Sequence, residues 1–362
     1  MPAKTPRASN LELLRILCML LIIGDHLTGQ GGIADYGTLP SSFAFCLIGC
    51  GSRIACSVFV LIGCWFLCEQ PFCTRRPLSL WLSLWLYTVP VTLLCALGGL
   101  DVSFGTLRWA AFPASTRQLW FISDYLILLV CMPLLARILH GLPRRAHRGL
   151  LAVLAMPLVL YPTLFAEDGA VSDLVWMFLY EYLLASYLRR YPDNRLSTLL
   201  RRRAVALTLG LGLPLLNTAA RAWLEWQGLT DGKAFQYVAY YRTGLGALPN
   251  LLAALALFFL FQSLDLGSRR WINALAGTTL GVYILHQVPA FRDFLWNGVF
   301  QAQAHHGSVP YALFVVAAVF AAGAAIDGLR TVLVMRPLEN SRLFRALCRK
   351  GDAWAEQLQP RD

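Results

Sequence analysis

Charge is scarce in this sequence. Asp, Glu, Lys and Arg supply 14% of the residues, while aliphatic, aromatic and Cys side chains supply 57%, against about 25% charged in soluble domains. So few charges exclude an ordinary water-soluble surface and require a lipid solvent. Several signatures are missing as well. There is no phosphate-binding GxxxxGK[ST] loop, no HExxH, no GxSxG and no GxGxxG fingerprint, which argues against ATPases, metalloproteases, serine hydrolases and nicotinamide enzymes. The ten cysteines contain no CxxC with a second pair. Cys18, Cys64, Cys95 and Cys131 sit in apolar runs and read as small hydrophobes, so no metal is expected. No long soluble insertion or internal repeat interrupts the chain, and the first apolar stretch, lacking a convincing cleavage site, reads as a retained span.

What is present are apolar runs of bilayer length. Ten are expected, near 11–28, 54–70, 78–98, 119–139, 149–166, 172–190, 204–223, 243–264, 273–290 and 309–334, with 41–53 leading into the second as a re-entrant or interfacial helix. The fold class is therefore an all-α integral membrane protein. Of 31 Lys and Arg, placing the N-terminus in the cytosol puts 24 on the inner side and 7 outside, so both termini are expected to be cytoplasmic. The chain divides into a cytoplasmic segment 1–10, a membrane domain 11–334 and a basic cytoplasmic tail 335–362. The net charge of +11 follows from that asymmetry and does not point to nucleic acid.

The first apolar run, NLELLRILCMLLIIGDH from Asn10 to His26, carries Glu12, Arg15 and His26. Ionised groups at a helix centre cost about 2.5 to 3.5 kcal/mol on insertion scales, so they turn toward a cavity or a partner. Arg15 and His26 are eleven positions apart, which brings them to nearly one face, about 16 Å apart along the axis. An imidazole near one membrane surface is a candidate general base. An Arg near the other can bind an anion or polarise a carbonyl, with Glu12 setting its orientation. A snorkelling Arg15 paired with Glu12, and a His26 that merely ends the helix, would explain the same residues without chemistry.

An acidic residue, two residues, Arg, ten residues and His resembles the first helix of the membrane acyltransferase-3 family. WFISDYLILLVCMPLL (Trp120 to Leu135), YLLASYLRRYP (Tyr182 to Pro192), TTLGVYILH (Thr278 to His286) followed by Arg292 and Trp296, and IDGLR (Ile326 to Arg330) resemble further segments of that family in order. The resemblance is nearest to members that modify bacterial surface polysaccharides. It implies a multi-pass protein of the bacterial plasma membrane that moves an acetyl group from cytosolic acetyl-CoA, or another acyl-CoA, to a hydroxyl of an envelope polysaccharide or its lipid-linked precursor. His26, Arg15 and Glu12 would be catalytic, and the coenzyme A thioester, a carbohydrate acceptor and membrane lipid would be the partners.

Other residues acquire expected roles from the same comparison. Arg53 matches an Arg of related members, and Trp120 would wall the cavity. Tyr283 and His286 share a helix face at i,i+3, with Arg292 following Pro289. The adjacent Arg75 and Arg76 could hold donor phosphates or only fix topology. Ile62-Gly63 stands where the family commonly has Ser-Gly. Gly277 and Gly281 form a GxxxG pattern that needs only close helix packing. The aromatic loop from Trp223 to Arg242 is a candidate acceptor surface. Asp25, Asp124 and Glu181 are costly groups without assigned partners. Two readings from other classes stand beside the enzyme: a multi-span transporter, and a non-catalytic membrane subunit that binds a polysaccharide or lipid carrier.

Overall fold

The computed structural model describes residues 8–168 and 173–357. Expectations for 1–7, for position 172 and for the end of the tail lie outside them. All regular structure among the described residues is helical, the solution open to a chain whose backbone polar groups must be satisfied without water. Seven helical segments are long and apolar enough to cross a membrane: Leu39–Leu67, Arg75–Leu97, Trp120–His140, Arg144–Phe165, Arg203–Trp226, Lys233–Gln262 and Val309–Asn340. Three of the ten expected runs fall outside these seven, the first of them nonetheless a single helix over its whole expected length. The first is helix α1, Ser9–Gln30; the sixth is a 17-residue helix, Leu174–Arg190; and the ninth is broken.

These three lie largely within protein. Leu174–Arg190 buries Met177, Phe178 and everything from Tyr180 to Leu188, whereas the window of Arg203–Trp226 is only 17% buried and faces outward. A helix enclosed by other helices can carry polar groups that lipid would reject. That is where Glu12, Glu181 and His286 are found, all buried. The start of α1 is stitched in place by its polar residues. Ser9 Oγ donates to Asn273 Oδ1 at 2.9 Å and accepts from the Arg269 N–H at 2.6 Å, and the Asn10 amide donates to the Leu264 carbonyl at 2.9 Å.

The break in the ninth run has a local cause. Arg270–Ala276 and Thr279–Gln287 are separate helices, with the Thr278 and Thr279 hydroxyls capping the Leu275 and Ala276 carbonyls at 2.7 and 2.9 Å. Pro289, which has no N–H, prevents the second piece from continuing. The GxxxG expectation is corrected here. A methyl on Gly277 would meet only carbonyls of its own turn, but one on Gly281 would collide with the Asp327 carboxylate. That carboxylate accepts from Tyr87 at 2.7 Å and from Arg330 at 2.8 Å. Gly281→Ala is therefore expected to destabilise the protein by about 1–3 kcal/mol, read as a lower melting temperature in detergent, while Gly277→Ala leaves it nearly unchanged.

Ion pairs involving basic residues lie at both ends of the bundle. At one end, called here the basic end, Arg75 pairs with Glu339, Arg144 with Asp193 and Arg189 with Glu69. The Arg189 hydrogen bond holds the Glu69 carboxyl below the usual carboxylate range. The tail folds back to this end as Arg336–Asn340 and Arg342–Glu356, where Asp352 accepts from the Thr74 N–H at 2.7 Å. At the opposite end lie the pairs Arg117–Asp173 and Arg242–Asp25. The expected 41–53 segment is a helix, Leu39–Ile48, that turns at Gly49–Gly51 into Ser52–Leu67. Gly51 is required there, because a methyl would press into Leu21 of α1 at 2.7 Å.

Candidate active site

The helix Thr279–Gln287 brings its C-terminal turn against the C-terminal turn of α1. His286, one turn beyond Val282, places Nδ1 2.6 Å from the Val282 carbonyl, and its Nε2 lies 2.9 Å from His26 Nδ1. A carbonyl can only accept, so His286 carries its proton on Nδ1 and offers the Nε2 lone pair. His26 must then donate from Nδ1, which leaves its own Nε2 as a free lone pair. Both nitrogens of His286 are thus used and the ring is 1% exposed, whereas His26 is only half-buried. Of the two, His26 is the histidine that keeps an unbonded ring nitrogen.

A second pair of side chains fixes this contact. Gln30, one turn after His26, donates to Gln287 at 3.3 Å and accepts from it at 3.0 Å, and the Trp296 indole donates to Gln30 at 3.3 Å. This clamp was not anticipated. Its signal was there: each Gln stands at the polar end of an apolar helix, close in sequence to one of the two histidines.

From His26 the site extends toward Arg15. A cavity of about 260 Å³ is lined by Arg15, Cys56, Phe59, Phe121, Tyr125 and Tyr283, among others. Tyr283 closes it, its ring centroid 6.3 Å from that of His26 and 6.0 Å from that of Phe121. Gly63 has a defined purpose here, because a methyl on it would collide with the Tyr125 hydroxyl. Ile62, where related members have Ser, is 1% exposed and part of the core, so that position offers no hydroxyl.

Two guanidinium groups enter the site with donors unsatisfied. Arg53 lies over the Trp120 ring, 4.7 Å from its centroid, and its Nη1 is buried without a hydrogen-bond partner. Its charge acts on His26, as does that of Arg292. Arg15 Nη1 approaches Glu12 at 3.4 Å while its Nε is buried and unpartnered. Buried polar groups are almost always bonded, and an orphaned cationic donor at the cavity, Arg15, with a second at Arg53 acting on His26, points to an anionic or carbonyl ligand. Among the described residues no three His, Cys, Asp or Glu side chains converge as a metal would need.

The remaining candidates separate. Arg75 faces Glu339 and the tail, whereas Arg76 donates to the Pro71 carbonyl at 3.1 Å and, with Arg15, acts on Tyr125. Of the doublet, only Arg76 acts through its charge on a side chain that lines the cavity, and its guanidinium is itself held by Pro71 and Gln70. Arg292 pairs with the adjacent Asp293 at 3.0 Å. Asp25 is held by Arg242, which also donates to the Gly49 carbonyl at 2.9 Å, so it braces the turn against α1. Asp124 accepts twice from Arg117, at 2.8 and 3.0 Å, and anchors the loop before Trp120. Glu181 is fully buried with both carboxyl oxygens unpartnered, beside the equally unpartnered Ser57 hydroxyl. The expected aromatic loop is helical over Lys233–Thr243, where Tyr237 and Tyr241 donate to the Leu164 and Thr163 carbonyls at 2.6 and 3.1 Å, and these hydroxyls tether the segment.

No curated protein and no solved structure matches the chain. A family described as an acyltransferase domain matches residues 9–327, a span that holds the His26–His286 contact, both orphaned guanidinium groups and every residue of the cavity. The chain belongs to the acyltransferase-3 family.

Proposed function

We propose that this protein is an integral membrane O-acetyltransferase that moves an acetyl group from acetyl-CoA to a hydroxyl of a carbohydrate, an envelope polysaccharide or its lipid-linked precursor, in a bacterial plasma membrane. One observation carries the reading: the bonds from His26 to His286 to the Val282 carbonyl leave His26 Nε2 unprotonated, its ring beside Tyr283, the side chain that closes a cavity beginning at Arg15. The donor enters from the basic end, taken as cytoplasmic on the positive-inside rule. Arg15 and Arg76 hold its anionic groups, and its thioester reaches Tyr283.

The acceptor hydroxyl approaches His26 from the opposite end. His26 Nε2 removes its proton as the oxygen attacks the thioester carbonyl. Arg53 Nη1 donates to the oxyanion of the tetrahedral intermediate. Collapse breaks the carbon–sulfur bond, the leaving thiolate takes the proton back from His26, and the ester and free coenzyme A depart. Trp120 holds Arg53 by its ring face, and Glu12 holds Arg15.

Purified protein in nanodiscs, given radiolabelled acetyl-CoA, tests the reading. The wild type is expected to consume the donor by transfer or slow hydrolysis. Arg15→Ala should raise the KM for acetyl-CoA by roughly 10- to 100-fold, the worth of a charged hydrogen bond, with a smaller change in kcat. A wild type that neither binds coenzyme A nor uses any acyl-CoA would end the enzyme reading and favour transport.

A further inference from the structure

We propose that the last helix, Arg342–Glu356, together with the start of Arg75–Leu97, forms a binding site for an anionic phospholipid of the leaflet at the basic end. This helix lies beyond the residues 9–327 that match the family. It presents three faces. Phe344 and Ala355 are buried against the bundle, and Gly351 fits close to Thr74, where a methyl would meet Thr74 Oγ1 at 2.5 Å. Leu343, Leu347 and Trp354 are 72%, 47% and 56% exposed, and at 100° per residue they fall within one narrow stripe. Arg342, Arg345 and Arg349 form the third face, also exposed.

Those arginines line a cleft of about 610 Å³ together with Arg75 and Glu339. Glu339 is already engaged by Arg75 and by the Ser79 hydroxyl, at 2.6 Å. Among the described residues, none of Arg342, Arg345 and Arg349 has a carboxylate partner. The cleft therefore offers three uncompensated guanidinium groups, which suit a phosphate. A soluble anion would have no use for the exposed stripe beside them. A phospholipid uses both, its headgroup in the cleft and its chains along Leu343, Leu347 and Trp354.

The test is native mass spectrometry of the full chain in detergent, titrated with phosphatidylglycerol and with phosphatidylcholine of equal chain length. The wild type is expected to retain phosphatidylglycerol about tenfold or more over phosphatidylcholine. The combined Arg342→Gln, Arg345→Gln, Arg349→Gln variant keeps good helix formers; it should lose that preference at an unchanged melting temperature. Leu343→Ser, Leu347→Ser, Trp354→Ser should weaken both lipids alike. Added inorganic phosphate or coenzyme A should not displace the lipid. Equal retention of the two lipids by the wild type, or an unaltered preference in the Arg variant, would overturn the proposal. Displacement by coenzyme A, with loss of coenzyme A affinity in the Arg variant, would overturn it in favour of a soluble nucleotide ligand.

Discussion

His26→Ala is expected to lower the rate of acyl transfer by about 10²- to 10⁴-fold, the usual worth of a positioned general base, with expression and melting temperature nearly unchanged. The same geometry orders the two histidines. His286 has no free nitrogen, since Nδ1 is bound to the Val282 carbonyl and Nε2 to His26. In the proposed mechanism it is a positioning residue that keeps the His26 proton on Nδ1 and the lone pair on Nε2. His286→Phe preserves the ring but removes the acceptor, and a loss of roughly 10- to 100-fold is expected, smaller than that of His26→Ala and with a shifted pH–rate profile. His286→Gln, which still offers an oxygen, should recover part of it. The double variant should be no worse than His26→Ala alone, because the two side chains act as a unit. An inactive His286→Phe beside an active His26→Ala would reverse the assignment.

Arg53→Ala is expected to cost about 10²- to 10³-fold in kcat with little change in KM, the signature of a donor used in the transition state alone. A buried guanidinium nitrogen without a partner is unfavourable in the resting protein, and here Nη1 is left in that condition while the ring of Trp120 holds the group at 4.7 Å. An oxyanion would supply the missing acceptor. Arg53→Lys keeps the charge but loses the planar fork and much of the stacking, so it should restore only a fraction of the rate. Trp120→Leu should fall between the wild type and Arg53→Ala. If Arg53 merely anchors its helix at the membrane surface, Arg53→Ala will leave kcat intact and the oxyanion role must be withdrawn.

Where reading from the sequence stopped short, the reasons are particular. The run 273–290 has the apolar length of a span, but the capping bonds of Thr278 and Thr279 and the turn at Gly277 divide it. Without that division the His286 turn would not stand beside His26. Arg75 and Arg76 are adjacent and look equivalent, yet 100° of helix rotation sends one to Glu339 and leaves the other near Tyr125. Asp124 has no partner legible in its own apolar run, and the structure supplies Arg117, seven residues earlier, which neutralises it.

By itself the sequence determined the class and the poles of this protein. Hydropathy and charge act on each segment separately, so a helical membrane protein with its arginines sorted to two ends, and a first helix bearing Glu12, Arg15 and His26 on an expensive background, were legible from composition and spacing. Only the tertiary structure decided which partner each polar group found. His26 and His286 are 260 positions apart, and Arg53 and Trp120 belong to different helices. Such pairs are set by how helices pack and where they break, and a hydrogen bond 2.9 Å long has no counterpart in the periodicity of either strand of sequence.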